Sequence, residues 1–252
     1  GLDRPASALP VASGELFAAS GVCTTCHTSM VDEAGVDVST DSMWRSTMMA
    51  NSSRDPYWRA SVRAEVSVHP IAEQAIREKC ATCHMPMAWF TATHKGEPVA
   101  VLGEDFFPEE HELHPFAMDG VSCTLCHQIE DQNLGTPDSF SGGFVVDTNA
   151  PFGERKAYGP YNIPRGQAIV MISASGYIPI YAEHIQKSEI CATCHNLTTD
   201  TLDASRAVVG QFHEQMVFLE WQHSDYVQTH ACQDCHMPVA NGGVSLSITG
   251  GP

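Results

Sequence analysis

The chain has few basic residues and no long apolar run. Lysine and arginine together number 13 against 30 aspartates and glutamates, so the formal net charge of the 252 residues is −17 at pH 7. Nucleic-acid binding needs the opposite sign of charge, because it depends on contacts with phosphate. No stretch approaches the roughly 18 uninterrupted apolar residues of a membrane-spanning helix. We therefore expect no nucleic-acid partner, and a protein that is not membrane-spanning.

Charged residues of both signs are scarce as well. They make up 17% of the chain, whereas hydrophobic residues make up 43%. A disordered chain has the reverse balance, with many charges and few apolar side chains. The length suits one large domain or two small ones. We predict a single unit over residues 1–252, with a soft boundary near residue 150.

Cysteine and histidine are abundant, with 10 and 13 copies. All ten cysteines belong to five copies of one pattern, Cys-x-x-Cys-His, and none is left over. Random placement of the same residues would give about 0.02 copies of this pattern. The five copies, called here the first to fifth motifs, contain Cys23, Cys26 and His27; Cys80, Cys83 and His84; Cys123, Cys126 and His127; Cys191, Cys194 and His195; and Cys232, Cys235 and His236.

This spacing is the attachment motif of c-type haem. The two thiols add to the vinyl groups of the porphyrin, and the histidine supplies the proximal ligand of the iron. One turn of helix puts both sulfurs and the imidazole on the same side of the porphyrin, which explains the fixed spacing. We predict five haems c (iron) as cofactors, with the ten cysteines bound to the porphyrins and the five motif histidines bound to the metal.

Three other uses of paired cysteines explain the pattern less well. A disulfide framework does not require a histidine after every second cysteine. Zinc ribbons pair two Cys-x-x-Cys knuckles, which accounts neither for five copies nor for the histidine. A thioredoxin-like redox site needs one such motif in a βαβ setting.

Covalent haem attachment takes place outside the cytoplasm, so we expect an exported protein, periplasmic or extracellular at the cell surface. A signal peptide is then expected to have been removed before Gly1. Five porphyrins in this length leave about 50 residues for each, so macrocycles would form much of the core. The predicted fold class is mostly irregular and α-helical with few short strands, a chain wrapped around five stacked haems.

Local signals predict several elements. Asp55-Pro56 is a helix start, and a helix over 56–68 should end before His69-Pro70. Further helices are expected over 70–79, 182–194 and 212–229, and His223 and His230 would share a face of the last one. Short strands are expected at 98–102, 143–147 and 167–180, with a long loop over 135–166.

Eight histidines lie outside the motifs. Each of five irons has a sixth position, and imidazole is its commonest ligand, although a single histidine is more often an ordinary surface or core residue. Methionine is the other ligand candidate, and core packing is its ordinary role. The main candidate distal ligands are His69, His114, His184, His223 and His230, with His111, His213 and His94 in reserve and Met48 or Met49 as the methionine candidate.

Arginine and tryptophan side chains suggest further contacts with haem. Arginine matches the haem propionates bidentately, although a solvated helix face also explains a group of arginines. The candidates for propionate binding are Arg45, Arg54, Arg59 and Arg63. The four tryptophans, expected to pack on haem faces, are Trp44, Trp58, Trp89 and Trp221.

The chain resembles the multihaem cytochrome c superfamily in several strings, which are DPYWRASVRAE, CATCHMPM, DGVSCTLCH, and EWQHSDY with CQDCHMP. That group includes the tetrahaem cytochrome of ammonia oxidisers, hydroxylamine oxidoreductase and the pentahaem nitrite reductases. The resemblance covers most of the chain and implies loops and helices wrapped around stacked and perpendicular haem pairs. The nitrite reductases bind their catalytic haem through a Cys-x-x-Cys-Lys motif, which this chain lacks. Where relatives often carry Ser-x-x-His, this chain has Ser46-Thr47-Met48-Met49.

The predicted function is electron transport by bis-histidine haems. The protein would exchange electrons with redox protein partners, or with neighbouring copies of the chain in an extracellular haem-lined filament. The alternative is a multihaem oxidoreductase of small nitrogen compounds with one open haem. Spare histidines outnumber the irons, and a six-coordinate iron binds no substrate, so we expect an electron carrier and no enzyme.

Overall fold

The computed structural model describes residues 9–99, 101, 106–237 and 239–248. Short helices, turns and loops make up most of this part of the chain, and its strands are few and short. This matches the predicted secondary-structure class. Among these residues, no helix combines the length and the apolar character needed to cross a membrane.

The α-helices of the described residues are short, and the longest has 13 residues. In chain order they are α1 (Ser20–Thr24), α2 (Thr40–Arg45), α3 (Met48–Asn51), α4 (Pro56–Val68), α5 (Glu73–His84), α6 (Pro86–Lys95), α7 (His114–Met118), α8 (Cys123–Cys126), α9 (Arg165–Ser175), α10 (Glu189–His195), α11 (Val217–Gln222) and α12 (Cys232–His236).

Helix α4 has the predicted bounds, because strong local signals stand at both of its ends. The carboxylate of Asp55 accepts hydrogen bonds from the backbone N–H groups of Tyr57 and Trp58, at 3.0 and 3.3 Å. Pro56 occupies the first helical position. The helix ends at Val68, since Pro70 disfavours the helical conformation at His69. The expected helix over 70–79 is a 3-10 turn, Pro70–Ala72, followed by α5, which includes the whole second motif.

Strands β1 (Arg155–Gly159) and β2 (Tyr177–Tyr181) pair in parallel, and α9 connects them. A parallel pair needs such a crossover, and an α-helix is its usual form. The strand predicted over 167–180 is therefore wrong for residues 167–175, which belong to α9. Glutamine, alanine and methionine favour the helix there. Gly176, at φ +76°, ends it.

Strands β3 (Leu197–Leu202) and β4 (Val208–Gln215) form an antiparallel hairpin. Its turn is held by Asp203, whose carboxylate accepts from the backbone N–H groups of Ser205 and Ala207. The helix predicted over 212–229 is wrong at its start, because residues 212–215 extend β4. The remainder divides into α11 and a 3-10 turn, Asp225–Gln228, so His223 and His230 do not share a helix.

Other predicted elements are only partly observed. Residues 182–194 form a 3-10 turn, Glu183–Gln186, and then α10. In the expected strand at 143–147, Val146 makes an isolated bridge to Ile129. Of the expected strand at 98–102, residues 100 and 102 lie outside the described residues, and the other three form no strand. The segment 135–166 contains a 3-10 turn, Pro137–Ser139, and β1.

The apolar core draws its residues from Leu16 to Ile190 along the chain. Its fully buried side chains include Phe17, Val62, Met85, Met87 and Leu125. A hydrogen bond also joins residues on either side of position 150, because the guanidinium of Arg155 donates to the Gly14 carbonyl at 3.0 Å. The single-unit organisation and the soft boundary near residue 150 stay predictions.

Candidate haem-attachment sites

Each of the five motifs forms one helical turn. The first motif begins in α1, the second ends α5, and the third begins α8. The fourth ends α10, and the fifth is α12 itself. In the first and third motifs the histidine N–H donates to the carbonyl of the first cysteine, at 3.1 and 3.0 Å. Such a turn brings two thiols and an imidazole close together, as thioether attachment requires.

The ten cysteines are all free thiols, and only Cys235 is exposed. Burial raises the pKa of Cys126 and Cys191 to about 12 and that of Cys80 to about 11. Among the described residues, no group of three histidine, cysteine or acidic side chains is arranged to hold a metal ion.

Thiols of different motifs lie side by side. Cys23 lies beside Cys123, Cys83 beside Cys194, and Cys191 beside Cys232. With burial, these contacts raise the pKa of Cys23 and of Cys83 well above the ordinary value. Cys126 is also close enough to Cys194 to interact with it electrostatically. The third motif thus neighbours the first and the fourth, and the fourth also neighbours the second and the fifth.

Three motif histidines are oriented by a backbone carbonyl. The Nδ1 atom of His27 lies 2.6 Å from the Leu246 oxygen, that of His84 lies 3.0 Å from the Ser52 oxygen, and that of His127 lies 2.5 Å from the Tyr158 oxygen. A carbonyl only accepts, so Nδ1 carries the proton, and in the neutral ring Nε2 keeps its lone pair. Burial lowers the pKa of His84, which favours this neutral form. Histidines that bind metal through Nε2 are commonly oriented in this way.

The fifth motif docks against the fourth. The N–H of Cys232 donates to the Ser188 hydroxyl at 2.9 Å, and the Gln233 amide donates to the Lys187 carbonyl at 2.8 Å. The proximal imidazoles of these two motifs, His195 and His236, are close enough to interact electrostatically. Both side chains are exposed.

Three candidate distal histidines differ in which ring nitrogen makes a hydrogen bond. His114 resembles the proximal histidines, since its Nδ1 lies 3.0 Å from the Phe106 carbonyl and its Nε2 is free to bind iron. The buried His184 instead bonds the Ile129 carbonyl through Nε2, at 2.8 Å. Ligation through that atom requires this bond to break. The Nδ1 atom of His111 accepts from the Leu113 N–H at 3.0 Å, which places the proton of a neutral ring on Nε2.

The other candidate ligands lie on the surface of the described residues. His69 follows α4, and its Nε2 is 3.9 Å from Glu65. His94 is in the last turn of α6, and His223 follows α11. His213 on β4 contacts the Thr198 hydroxyl at 3.1 Å, and His230 contacts the Thr229 hydroxyl at 2.8 Å. Met48, 67% exposed, begins α3.

The arginines proposed for propionates have contacts of their own. Arg45 lies 3.8 Å from Asp41, Arg54 donates to the Ala50 carbonyl, and Arg59 donates to the Ser53 carbonyl. The sequence analysis missed Arg155, which is 5% exposed. No acidic partner pairs with it among the described residues, and its buried Nε makes no hydrogen bond. No local sequence signal marks this residue.

These residues fit a c-type haem. Each motif offers two thiols and an imidazole on one turn, and three of the imidazoles present a free Nε2. A buried guanidinium needs a carboxylate partner, and the part of the chain that the structure describes supplies none for Arg155. Arg155 lies on β1, the strand whose Tyr158 carbonyl orients His127. A haem propionate is a carboxylate of the required charge.

No protein-family model and no curated protein sequence matches the chain. Among solved structures, the chain is similar to a penta-heme cytochrome c552 from Thermochromatium tepidum, with 18% sequence identity and a TM-score of 0.49. The match covers 83% of this chain and 54% of that cytochrome. The chain therefore spans about half the length of the protein it matches. We transfer neither the activity nor the haem arrangement of that cytochrome on this similarity.

Proposed function

We propose that this protein is an electron carrier that holds five covalently attached haems c. The observation that carries the proposal is the folding of all five Cys-x-x-Cys-His motifs as single helical turns with free thiols. The ten cysteines would form the thioethers. The proximal ligands would be the histidines that end the motifs, His27, His84, His127, His195 and His236.

The contacts between motifs support a relay. Each haem, when bound, supplies a one-electron Fe(III)/Fe(II) couple. A thioether sulfur sits at the edge of a porphyrin, so touching thiols such as Cys83 and Cys194 bring two porphyrin edges together. The protein contributes by holding neighbouring edges in contact, which is what electron tunnelling between them requires. The chain would thereby wrap around a connected haem group within one unit.

Histidine is proposed as the sixth ligand of at least four irons. His114 is the first choice, because its Nδ1 is already bonded to a carbonyl and its Nε2 is free. The exposed candidates, which have no buried contacts to break, are His69, His94, His213, His223 and His230. Six-coordinate irons favour electron transfer over substrate binding.

The charge of the chain supports a choice of partner. At −17, and with propionates adding further negative charge, the surface favours basic redox proteins and repels anions such as nitrite. We place the protein outside the cytoplasm, in the periplasm or at the cell surface. In a filament, apolar contacts or a shared haem ligand between neighbouring copies would have to overcome the repulsion between them.

The first experiment counts haems by intact mass of the denatured holoprotein. We expect the polypeptide mass plus five haem masses, and no cysteine that reacts with an alkylating reagent. The double variant Cys80→Ala/Cys83→Ala is the matched control and should lose one haem mass. A wild-type count of four, or haem extracted by acid and acetone, would contradict the proposal.

The second experiment separates the carrier from an enzyme. The dithionite-reduced holoprotein is mixed with carbon monoxide, and separately with nitrite or hydroxylamine. We expect no rapid binding of carbon monoxide and no substrate turnover. Rapid binding of one carbon monoxide per chain, together with turnover, would favour a multihaem oxidoreductase with one open iron.

A further inference from the structure

The proximal histidine of the second motif has an aromatic partner. The indole of Trp58 lies parallel to the imidazole of His84, with ring centroids 4.3 Å apart and an angle of 7° between the planes. Trp58 is only 8% exposed. Among the described residues, no other motif histidine makes such a contact with an aromatic ring.

One short segment holds His84 from several directions. Besides its carbonyl contact with Nδ1, Ser52 donates its hydroxyl to the His84 carbonyl at 2.9 Å. Three residues later, Asp55 caps α4 and holds the first turn that carries Trp58. The segment 52–58 therefore fixes the backbone of His84, the hydrogen on Nδ1 and the plane of its ring.

We propose that Trp58 is a positioning residue that fixes the plane of the His84 imidazole on the iron of the second motif, and thereby sets the potential and the EPR signature of that haem. The inference rests on the proposed function, since it requires a haem at this motif. In a low-spin ferric haem, the orientation of the axial imidazole planes determines the anisotropy of the g values. Stacking against a buried indole prevents rotation about the Cβ–Cγ bond of His84. The carbonyl of Ser52 makes the same imidazole a stronger donor.

A purely structural role for Trp58 predicts a different result. As a core side chain alone, Trp58 would contribute packing energy to α4, and its loss would lower stability without a specific effect on one haem. Phe90 provides the comparison, because it stacks on Phe144, with ring centroids 5.6 Å apart, and is paired with no histidine ring among the described residues.

The test uses the holoprotein with the variants Trp58→Leu, Trp58→Phe and, as a control, Phe90→Leu. EPR spectra of the oxidised proteins and optical redox titrations are the readouts. In Trp58→Leu we expect changed g values and a shifted midpoint for one haem of five. Trp58→Phe retains a flat ring and should lie closer to the wild type. Phe90→Leu should leave all five signals in place.

The affected haem is located by adding Cys80→Ala to each protein. One unreacted vinyl group then shifts the absorption band of the second-motif haem, so its titration can be followed separately. We expect Trp58→Leu to move the midpoint of this labelled band. Unchanged g values and midpoints would overturn the inference, and so would equal shifts of all five haems. If Trp58→Leu does not fold, Trp58→Phe decides, because a changed contact geometry should still alter one set of g values.

Failure of the proposed function gives a separate result. A chain that does not carry five haems fails in the mass count before any variant is compared. If the protein carries five haems and its EPR spectrum is the same in the Trp58 variants, only the inference about Trp58 is overturned.

Discussion

At the scale of single residues, the sequence marks the atoms proposed to attach haem but not those that would orient it. The five motifs are local patterns, so all ten cysteines and the five motif histidines are evident from spacing alone. The carbonyls of Ser52, Tyr158 and Leu246 come from distant parts of the chain, and a carbonyl leaves no mark in a sequence. Arg155 was missed for the same reason, because its burial depends on non-local packing.

His114 and His184 differ in which imidazole nitrogen is already hydrogen-bonded: Nδ1 in His114 and Nε2 in His184. We expect His114→Ala to convert one low-spin haem to the high-spin form, since Nε2 of His114 is available to iron. His184→Ala should keep all haems low-spin and lower the free energy of unfolding by about 1 to 3 kcal/mol, because the buried Ile129 carbonyl loses its donor. EPR and urea unfolding measure the two effects. A high-spin signal in His184→Ala alone would reverse the assignment.

A buried carboxylate joins the first and third motifs. Asp119 is 2% exposed and accepts from the backbone N–H and the hydroxyl of Ser20, at 2.7 and 2.6 Å. Burial raises its pKa above the ordinary value of 3.8, and the bonds from Ser20 offset part of that rise. Since the folded state holds the proton more tightly, this group adds stability at low pH. The contribution is lost as the pH rises from about 4 through the raised pKa.

Asp119→Asn tests that dependence on pH. We expect the variant to lack the part of the stability change that the wild type shows between pH 4 and neutrality. The asparagine also has one acceptor fewer, which shifts the stability by an amount independent of pH. The measurement is the urea midpoint of the holoprotein at several pH values. Parallel wild-type and variant curves would show that Asp119 does not titrate in this range.

At the scale of elements, the prediction succeeded where a short signal decided the structure. Asp55-Pro56 and His69-Pro70 gave both ends of α4. It failed where partners elsewhere in the chain decided between helix and strand. Residues 167–175 became the crossover helix of a parallel pair, and residues 212–215 joined β4 because β3 lies beside them. Ile169, Val170 and Ile172 suit either structure when pairing is unknown, and residues 212–215 carry no β-branched residue that would mark a strand.

The cap of α4 is expected to matter for both stability and the second motif. Asp55→Ala leaves the N–H groups of Tyr57 and Trp58 without their acceptor and should cost about 1 kcal/mol. Asp55→Asn keeps a capping oxygen and serves as the control. Urea unfolding gives the stability, and EPR reports whether the ring beside Trp58 has become looser. Equal stability of Asp55→Ala and the wild type would contradict the role of the cap.

At the scale of the whole molecule, sequence order does not predict which motifs lie next to each other in space. The first motif neighbours the third, and the second neighbours the fourth, although each of these pairs is separated by more than 90 residues. Contacts of this kind depend on how loops and helices of unequal length pack together, and the chain shows no strict repeat from which they follow. The number of Cys-x-x-Cys-His motifs was therefore evident from the sequence, whereas their neighbours in space were not.

The end of the described chain folds back onto the first motif. The N–H of Ile248 donates to the Cys26 carbonyl at 2.9 Å, and the Leu246 carbonyl lies 2.6 Å from Nδ1 of His27. Ile248→Pro removes the donor and should release this segment, so that His27 loses its carbonyl partner as well. We expect faster proteolysis near residue 246 and a shifted midpoint for one haem. Ile248→Ala keeps the N–H group and should behave as the wild type. If both variants resist proteolysis equally and titrate alike, the segment does not orient His27.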